Sequence, residues 1–308
     1  MCHSQPRRTL LYELSERFLM KDLIIPRNTI QFLQDHGISA KKRYGQNFLI
    51  EPRVLKKIIE GAGITKEDTI LEIGPGIGTM TQALCEAAGR VIAVEIDRDM
   101  IPLLEENLAG YDNYEIINDD ILKVDLGVLA EQAFAENAGR FKVVANLPYY
   151  ITTPIIMGLL EQKLPLESIT VMVQKEVAER MQAQPGTKDY GALTLAVQYY
   201  TAAEIIANVP SNCFIPRPNV DSAVIRLTLH EERPVQPQDE AKMFRVIKAS
   251  FAQRRKTLVN GLKNDPALQA EGIDRERIEE AFSQIGLDPN VRGERLTLEE
   301  FARLSDLL

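Results

Sequence analysis

Thr69-Ile70-Leu71-Glu72-Ile73-Gly74-Pro75-Gly76-Ile77-Gly78-Thr79-Met80-Thr81 decides the fold of this chain. An apolar run of strand length feeds a Gly-x-Gly-x-Gly turn, and a helical pattern follows. The glycines permit a tight turn and let a ligand approach the backbone closely. A second apolar run, Arg90-Val91-Ile92-Ala93-Val94, delivers Glu95 about 20 residues after Gly74, the spacing at which an acidic residue meets the hydroxyl pair of a ribose. Together these segments predict an α/β fold with a Rossmann-type nucleotide-cofactor site.

NAD and S-adenosylmethionine both use such a site, so the glycines alone do not choose. Three features favour S-adenosylmethionine. Glu72 precedes the first glycine by two, Asp120 follows a third strand (Tyr114 to Asn118) where an adenine amino group can be read, and a fourth strand, Phe141 to Ala145, runs into Asn146-Leu147-Pro148-Tyr149. A dehydrogenase would need a hydride-transfer acid/base partner, and none of His3, His36 and His230 stands near a strand end. Glu95 and Asp120 could also simply cap the following helices.

Asn146-Leu147-Pro148-Tyr149 has the makings of an amine clamp. An exocyclic aromatic amine such as N6 of adenine is a poor nucleophile while its lone pair is delocalised into the ring. The Asn146 side-chain oxygen and the Leu147 carbonyl can accept the two amine protons and favour a tetrahedral nitrogen, while Tyr149 stacks on the base. Pro148 removes a competing donor and fixes φ. The bland alternative is a strand-ending turn, where Asn and Pro are common.

At 308 residues the chain can build one α/β domain and a smaller companion. Without a membrane-length apolar run or a signal-peptide pattern, a cytoplasmic location is expected. Cys2, Cys85 and Cys213 are scattered, so neither a disulfide framework nor a metal site is indicated. The net charge of −8 argues against a nucleic-acid partner only on average. From Ala241 to Asn264 there are seven basic residues, including Arg254, Arg255 and Lys256, and no Asp or Glu; Lys41-Lys42-Arg43 is a second basic spot. Such runs serve either as solvated helix faces or as phosphate contacts.

Residues 1–40 read as an extension, with 1–19 an upstream-start artefact or a disordered arm, followed by a short helix from Thr29 to His36 that ends at Gly37. Residues 41–230 alternate strand and helix, the signature of a mostly parallel sheet. A fifth strand is expected from Ser168 to Gln174, then a helix from Glu176 to Gln184 broken by Pro185-Gly186, then two neighbouring edge strands, Ala203 to Val209 and Ser222 to Leu229. Residues 231–240 read as a linker. Residues 241–308 read as helical, with a break from Gly261 to Pro266.

The chain from about Met20 onward resembles the ribosomal RNA adenine N6-dimethyltransferase family, and within it the bacterial small-subunit (16S) branch. Five ordered segments carry the resemblance: Tyr44 to Leu49, Leu71 to Gly78, Asn146 to Tyr149, Pro216 to Val224 and Phe251 to Leu258. The resemblance implies a Rossmann-like class I methyltransferase domain with a small all-α C-terminal domain. It further implies that Asn47, Leu49, Gly74, Glu95, Asp120 and Asn146 bind S-adenosylmethionine, and that Asn146, Leu147, Pro148 and Tyr149 act on the target amine. Adjacent Asp119 competes with Asp120 as adenine reader. Phe214 is similar in position to a second aromatic that stacks on the target base, though it would serve equally as a core anchor. Arg254, Arg255 and Lys256 would grip RNA. The implied substrate is a pair of adjacent adenosines in a hairpin loop near the 3′ end of 16S rRNA, presented on an immature small subunit to a monomeric enzyme. The competing readings are a large-subunit (23S) adenine methyltransferase conferring antibiotic resistance, and a non-catalytic assembly or RNA-binding factor.

Overall fold

The computed structural model describes residues 24–37, 45–136, 140–253 and 255–308. In chain order the elements are α1 (Pro26–Asp35), β1 (Phe48–Leu49), α2 (Pro52–Ala62), β2 (Thr69–Ile73), α3 (Thr79–Ala87), β3 (Arg90–Val94), α4 (Ile101–Leu108), β4 (Tyr114–Ile117), α5 (Leu126–Glu136), β5 (Phe141–Asn146), α6 (Thr152–Glu161) and β6 (Leu166–Gln174). There follow α7 (Lys175–Met181), α8 (Ala192–Tyr200), β7 (Thr201–Val209), β8 (Phe214–Ile215), β9 (Ser222–Leu229), α9 (Glu240–Ala252), α10 (Leu258–Lys263), α11 (Pro266–Ala270), α12 (Arg275–Ile285) and α13 (Leu298–Leu307). Among the described residues no helix is long and apolar enough to cross a membrane.

The described residues fall into two compact units. The first runs to Lys175 and takes in Ile205–Arg226; the second comprises Glu176–Glu204 and Leu227–Leu308. The helical unit thus draws on sequence from both sides of the expected 231–240 linker.

The large sheet has the order β4-β3-β2-β5-β6-β9-β7, and the ladders from β4 through β6 are parallel. The chain winds outward from β2 to β4 on one side, then returns to lay β5 and β6 on the other. That reversal makes a topological switch point between β2 and β5, where open α/β sheets leave a crevice beyond their carboxyl ends. The Gly74–Gly78 turn and Asn146 lie on its two sides. Ile70, Leu71, Val91, Val143 and Val144 are fully buried, each side chain stabilising the fold by about 1.5–3 kcal/mol.

Two ionisable residues stand inside these apolar strands. Lys142 of β5 is 1% exposed, and its Nζ donates to Asp68 Oδ2 at 2.9 Å and to the Gly63 carbonyl at 2.7 Å. Glu72 of β2 is 0% exposed and has a different fate, described below.

A second, two-stranded sheet pairs β1 with β8 antiparallel, Phe48 opposite Ile215 and Leu49 opposite Phe214. Each strand is two residues long, too short to leave a periodic signature in the sequence.

The helix expected from Thr29 starts three residues earlier, with proline in its first turn and Gly37 at φ +63° beyond its end. Gly261, expected to open a break, sits inside α10. A Cβ there would come within 3.0 Å of the Ala249 carbonyl, so this glycine serves close packing onto α9. In the same unit the fully buried Tyr190 donates its hydroxyl to the Leu296 carbonyl at 2.8 Å, and the Tyr199 and Tyr200 hydroxyls donate to the Glu240 carboxylate.

Candidate active site

A single cavity of the first unit gathers the ends of four parallel strands. Its wall is made by Glu72–Ile77 at the end of β2, Val94–Ile96 at the end of β3, Asp119–Ile121 beyond β4, Asn146–Ile151 at and beyond the end of β5, and Gly45–Leu49 leading into β1. Asn47, Leu49, Gly74, Glu95, Asp120, Asn146, Leu147, Pro148 and Tyr149 therefore all line it.

The turn after β2 is built for a ligand. Gly74 and Gly76 have φ of +69° and +59°; a Cβ on Gly74 would project into open space, and one on Gly76 would meet the Phe48 ring at 3.1 Å. Glycine at 76 lets the 45–49 segment close down over the turn. Glu95 is 4% exposed, and its carboxylate accepts from the backbone N–H of Gly76 at 3.0 Å and of Asp97 at 2.7 Å. Burial raises its pKa while those N–H groups hold the rise back. Each oxygen retains a further lone pair, the capacity a vicinal diol needs. Asp119 and Asp120 both reach the cavity; Asp119 Oδ1 accepts from Asp120 N at 2.7 Å and Asp120 Oδ1 from Leu122 N at 3.1 Å. Each keeps one uncapped oxygen, and Asp119 is the more exposed.

Asn146 shows how the clamp is oriented. Its Nδ2 donates to the Asn47 carbonyl at 3.0 Å. A carbonyl only accepts, so that bond fixes which end of the amide is nitrogen and leaves Oδ1 as the other end. Leu147 N donates to the Met172 carbonyl at 3.1 Å, and the Pro148 carbonyl accepts from Ile151 N and Thr152 Oγ1. Asn146 Oδ1 and the Leu147 carbonyl receive no hydrogen bond from the described residues. The half-buried Tyr149 is anchored by its hydroxyl to Ser222 Oγ at 2.7 Å, and burial raises its pKa.

Phe214 does not join them. It is 2% exposed and packs in the core with Leu49, Val54 and Val209. Paired to Leu49 across the short sheet, its side chain is used to hold the 45–49 segment, which is the core-anchor alternative. Arg255 and Lys256 are exposed between α9 and α10 of the helical unit; Arg254, Tyr44 and Lys41-Lys42-Arg43 lie outside the described residues.

Sequence reasoning noted Glu72 but gave it no place in the site. It lines the cavity fully buried, and no hydrogen bond of ordinary geometry reaches either carboxylate oxygen. Burial pushes its pKa up to about 8, the nearby Thr81 hydroxyl restraining the rise and Glu95 adding to it. The signal for it was an acidic residue in the middle of an otherwise apolar strand. Among the candidates there is thus a diol acceptor, a buried uncommitted carboxyl suited to a cationic group, and a glycine cradle, which together fit S-adenosylmethionine.

The profile of the family described as Ribosomal RNA adenine dimethylase matches residues 37–307. The chain belongs to that family. Its members are enzymes that methylate adenine in ribosomal RNA with S-adenosylmethionine as donor, and that is the class of this chain. Among its relatives, the Ribosomal RNA small subunit methyltransferase A of Lachnoclostridium phytofermentans is 58% identical over 92% of this chain and 96% of its own length. The protein of the same name from Geobacillus thermodenitrificans is 52% identical over 94% and 97%. Of solved structures, a dimethyladenosine transferase from Plasmodium falciparum superposes with a TM-score of 0.69 at 26% identity, covering 83% of this chain and 95% of that one. The 23S rRNA methyltransferase ErmE gives 0.61 at 26% identity, covering 85% and 99%. As an adenine dimethylase, the chain has the α/β fold that its glycine turn predicted, of the methyltransferase class that the family resemblance implied.

Proposed function

We propose that this dimethylase acts on two adjacent adenosines in a hairpin loop near the 3′ end of 16S rRNA, transferring two methyl groups to N6 of each, on an immature small subunit and as a cytoplasmic monomer. The observation that carries the chemistry is the Asn47 carbonyl bond to Asn146 Nδ2. It leaves Asn146 Oδ1 as the other end of the amide in a cavity that Leu147 also lines, and supports reading that oxygen and the Leu147 carbonyl as two acceptors. The sulfonium of bound S-adenosylmethionine supplies an activated methyl group and a neutral leaving group.

In this reading Glu95 holds the ribose hydroxyls, Asp120 or Asp119 the adenine amine of the cofactor, and Gly74 with Asn47 and Leu49 encloses its methionine end. Asn146 Oδ1 and the Leu147 carbonyl accept the two N6 protons and turn the amine lone pair toward the methyl group. Tyr149 stacks on the target base, its tilt fixed by Ser222. No side chain needs to act as general base, because the N6 proton becomes acidic after transfer and can leave to water. A paired and stacked adenine hides N6, so the base must sit in a loop or be flipped out. Shape and backbone contacts then select the site, and we assign Arg254, Arg255 and Lys256, within residues 241–308, to the phosphates.

The high identity to small-subunit enzymes supports the 16S assignment over 23S. The test is transfer of labelled methyl groups to unmethylated small subunits, large-subunit RNA and free small-subunit RNA, with dimethyladenosine quantified after digestion. Label confined to small subunits is expected. Label on large-subunit RNA would make this a resistance-type enzyme, and label on none would leave a binding factor.

A further inference from the structure

Gln46 lines the cavity, half-buried, and the roles above assign it nothing. Its Nε2 donates to Asp97 Oδ2 at 3.0 Å. Asp97 lies two residues beyond Glu95, on the loop after β3, and is 1% exposed. The Asp97 backbone N–H is one of the donors that hold the Glu95 carboxylate, at 2.7 Å from Oε1. Asp97 Oδ1 accepts from Asp99 N at 3.3 Å, and the Asp97 carbonyl from Met100 N at 2.9 Å. The turn so formed places Met100 in an apolar cluster with Phe48 and Ile77. Residues 45–49 are thus joined twice to the loop that carries Glu95, by a hydrogen bond at Gln46 and by apolar packing at Phe48.

The next residue reaches the other way. The Asn47 carbonyl accepts from Asn146 Nδ2 at the end of β5, so Gln46 and Asn47 bridge two strand ends that flank β2 in the sheet. A segment anchored on one side only can swing about its anchor. Anchored on both, it is ordered when the protein folds, and the entropy of fixing it is not set against ligand binding. Resting on the cofactor roles proposed above, we propose that Gln46 is a further positioning residue for S-adenosylmethionine. Its bond to Asp97 holds residues 45–49 in register with Glu95, so that Asn47 and Leu49 meet the methionine end of the cofactor while Glu95 meets the ribose. Gln46 acts through Asp97 rather than on the reacting atoms.

The test uses the full chain and measures cofactor Kd by equilibrium dialysis with labelled S-adenosylmethionine, alongside thermal melts by circular dichroism. Gln46→Ala should raise Kd about 10-fold, the affinity ratio for one hydrogen bond to a carboxylate. Gln46→Glu keeps the size of the side chain but exchanges its donor for a second carboxylate, and should raise Kd at least as far. Combining Gln46→Glu with Asp97→Asn rebuilds the pair in reverse. The introduced amide nitrogen can donate to the introduced carboxylate while its oxygen still accepts from Asp99 N, and Kd should return to within about threefold of wild type. A wild-type Kd in Gln46→Glu would show that the side chain only packs. A doubly substituted enzyme that binds no better than Gln46→Glu would show that Asp97 is not its partner. Either result overturns the proposal, as would a raised Kd confined to variants already partly unfolded at the assay temperature. Failure of the underlying cofactor roles looks different: Glu95→Ala would then bind S-adenosylmethionine as tightly as wild type.

Discussion

Replacing Glu72 with Gln should stabilise the protein by an amount that grows as pH rises. The carboxyl is 0% exposed in β2, and burial moves its pKa from 4.5 to about 8. Below pH 4.5 both the folded and the unfolded chain keep the proton, and the group adds nothing to the pH dependence. Between 4.5 and 8 the unfolded chain gives the proton up while the folded chain retains it, so the wild-type protein loses stability as pH rises. The slope approaches about 1.4 kcal/mol per pH unit and levels off above pH 8. Gln at 72 has no proton to give. The stability difference between Glu72→Gln and wild type should thus increase by up to about 3 kcal/mol from pH 5 to pH 7, whatever constant offset the buried amide brings. Other titrating groups are common to both proteins and cancel in the difference. Urea denaturation followed by far-ultraviolet circular dichroism at pH 5, 6, 7 and 8 measures it. A difference that stays flat across this range would refute a buried, proton-retaining carboxyl at this position.

Three further outcomes test other parts of the site. Asn146→Ala should lower the single-turnover methylation rate about 100- to 1,000-fold, the scale for deleting one preorganised group that holds the reacting centre; a rate within tenfold of wild type would show that the Leu147 carbonyl and Tyr149 suffice. Lys142→Met leaves Asp68, 0% exposed, without its cation and should cost about 3–5 kcal/mol in denaturant melts; a loss below 1 kcal/mol would mean that Asp68 is neutralised elsewhere. Exchanging Arg255 and Lys256 together for Ala should flatten the salt dependence of subunit binding by between one and two in log–log slope, leaving cofactor Kd unchanged; unchanged subunit affinity at all salt concentrations would remove these residues from the RNA contact.

The sequence was most legible where one element states its own case. β2, β3 and β5 are short apolar runs that end at glycine, Glu95 and Asn146, and they lie within a residue of where they were expected. Their carboxyl ends carry the candidate residues, so the cavity could be assembled from a strand list alone. What was not legible depends on partners distant in sequence. β1 and β8 exist only because Leu49 meets Phe214 across more than half the chain, and that pairing withdraws Phe214 from the cavity. α8 went unassigned because seven of its nine residues are buried, which erases the one-sided apolar period by which a helix is read. Lys142 hides in an apolar strand because its charge is answered by Asp68, and Glu72 because burial lets it keep its proton.

The bond from Asn146 to the Asn47 carbonyl makes the enzyme's readiness conditional. On the roles proposed above, the amide assigned to the target is aimed by a backbone group of the 45–49 segment, which lines the same cavity as the Gly74–Gly76 turn, so the placing of that segment and the aim of the clamp are coupled. An inhibitor need not imitate adenosine or the methyl donor to exploit this. A compound that merely wedges Asn47 away from the β5 terminus would disarm the amine clamp from behind, without occupying either ligand's place.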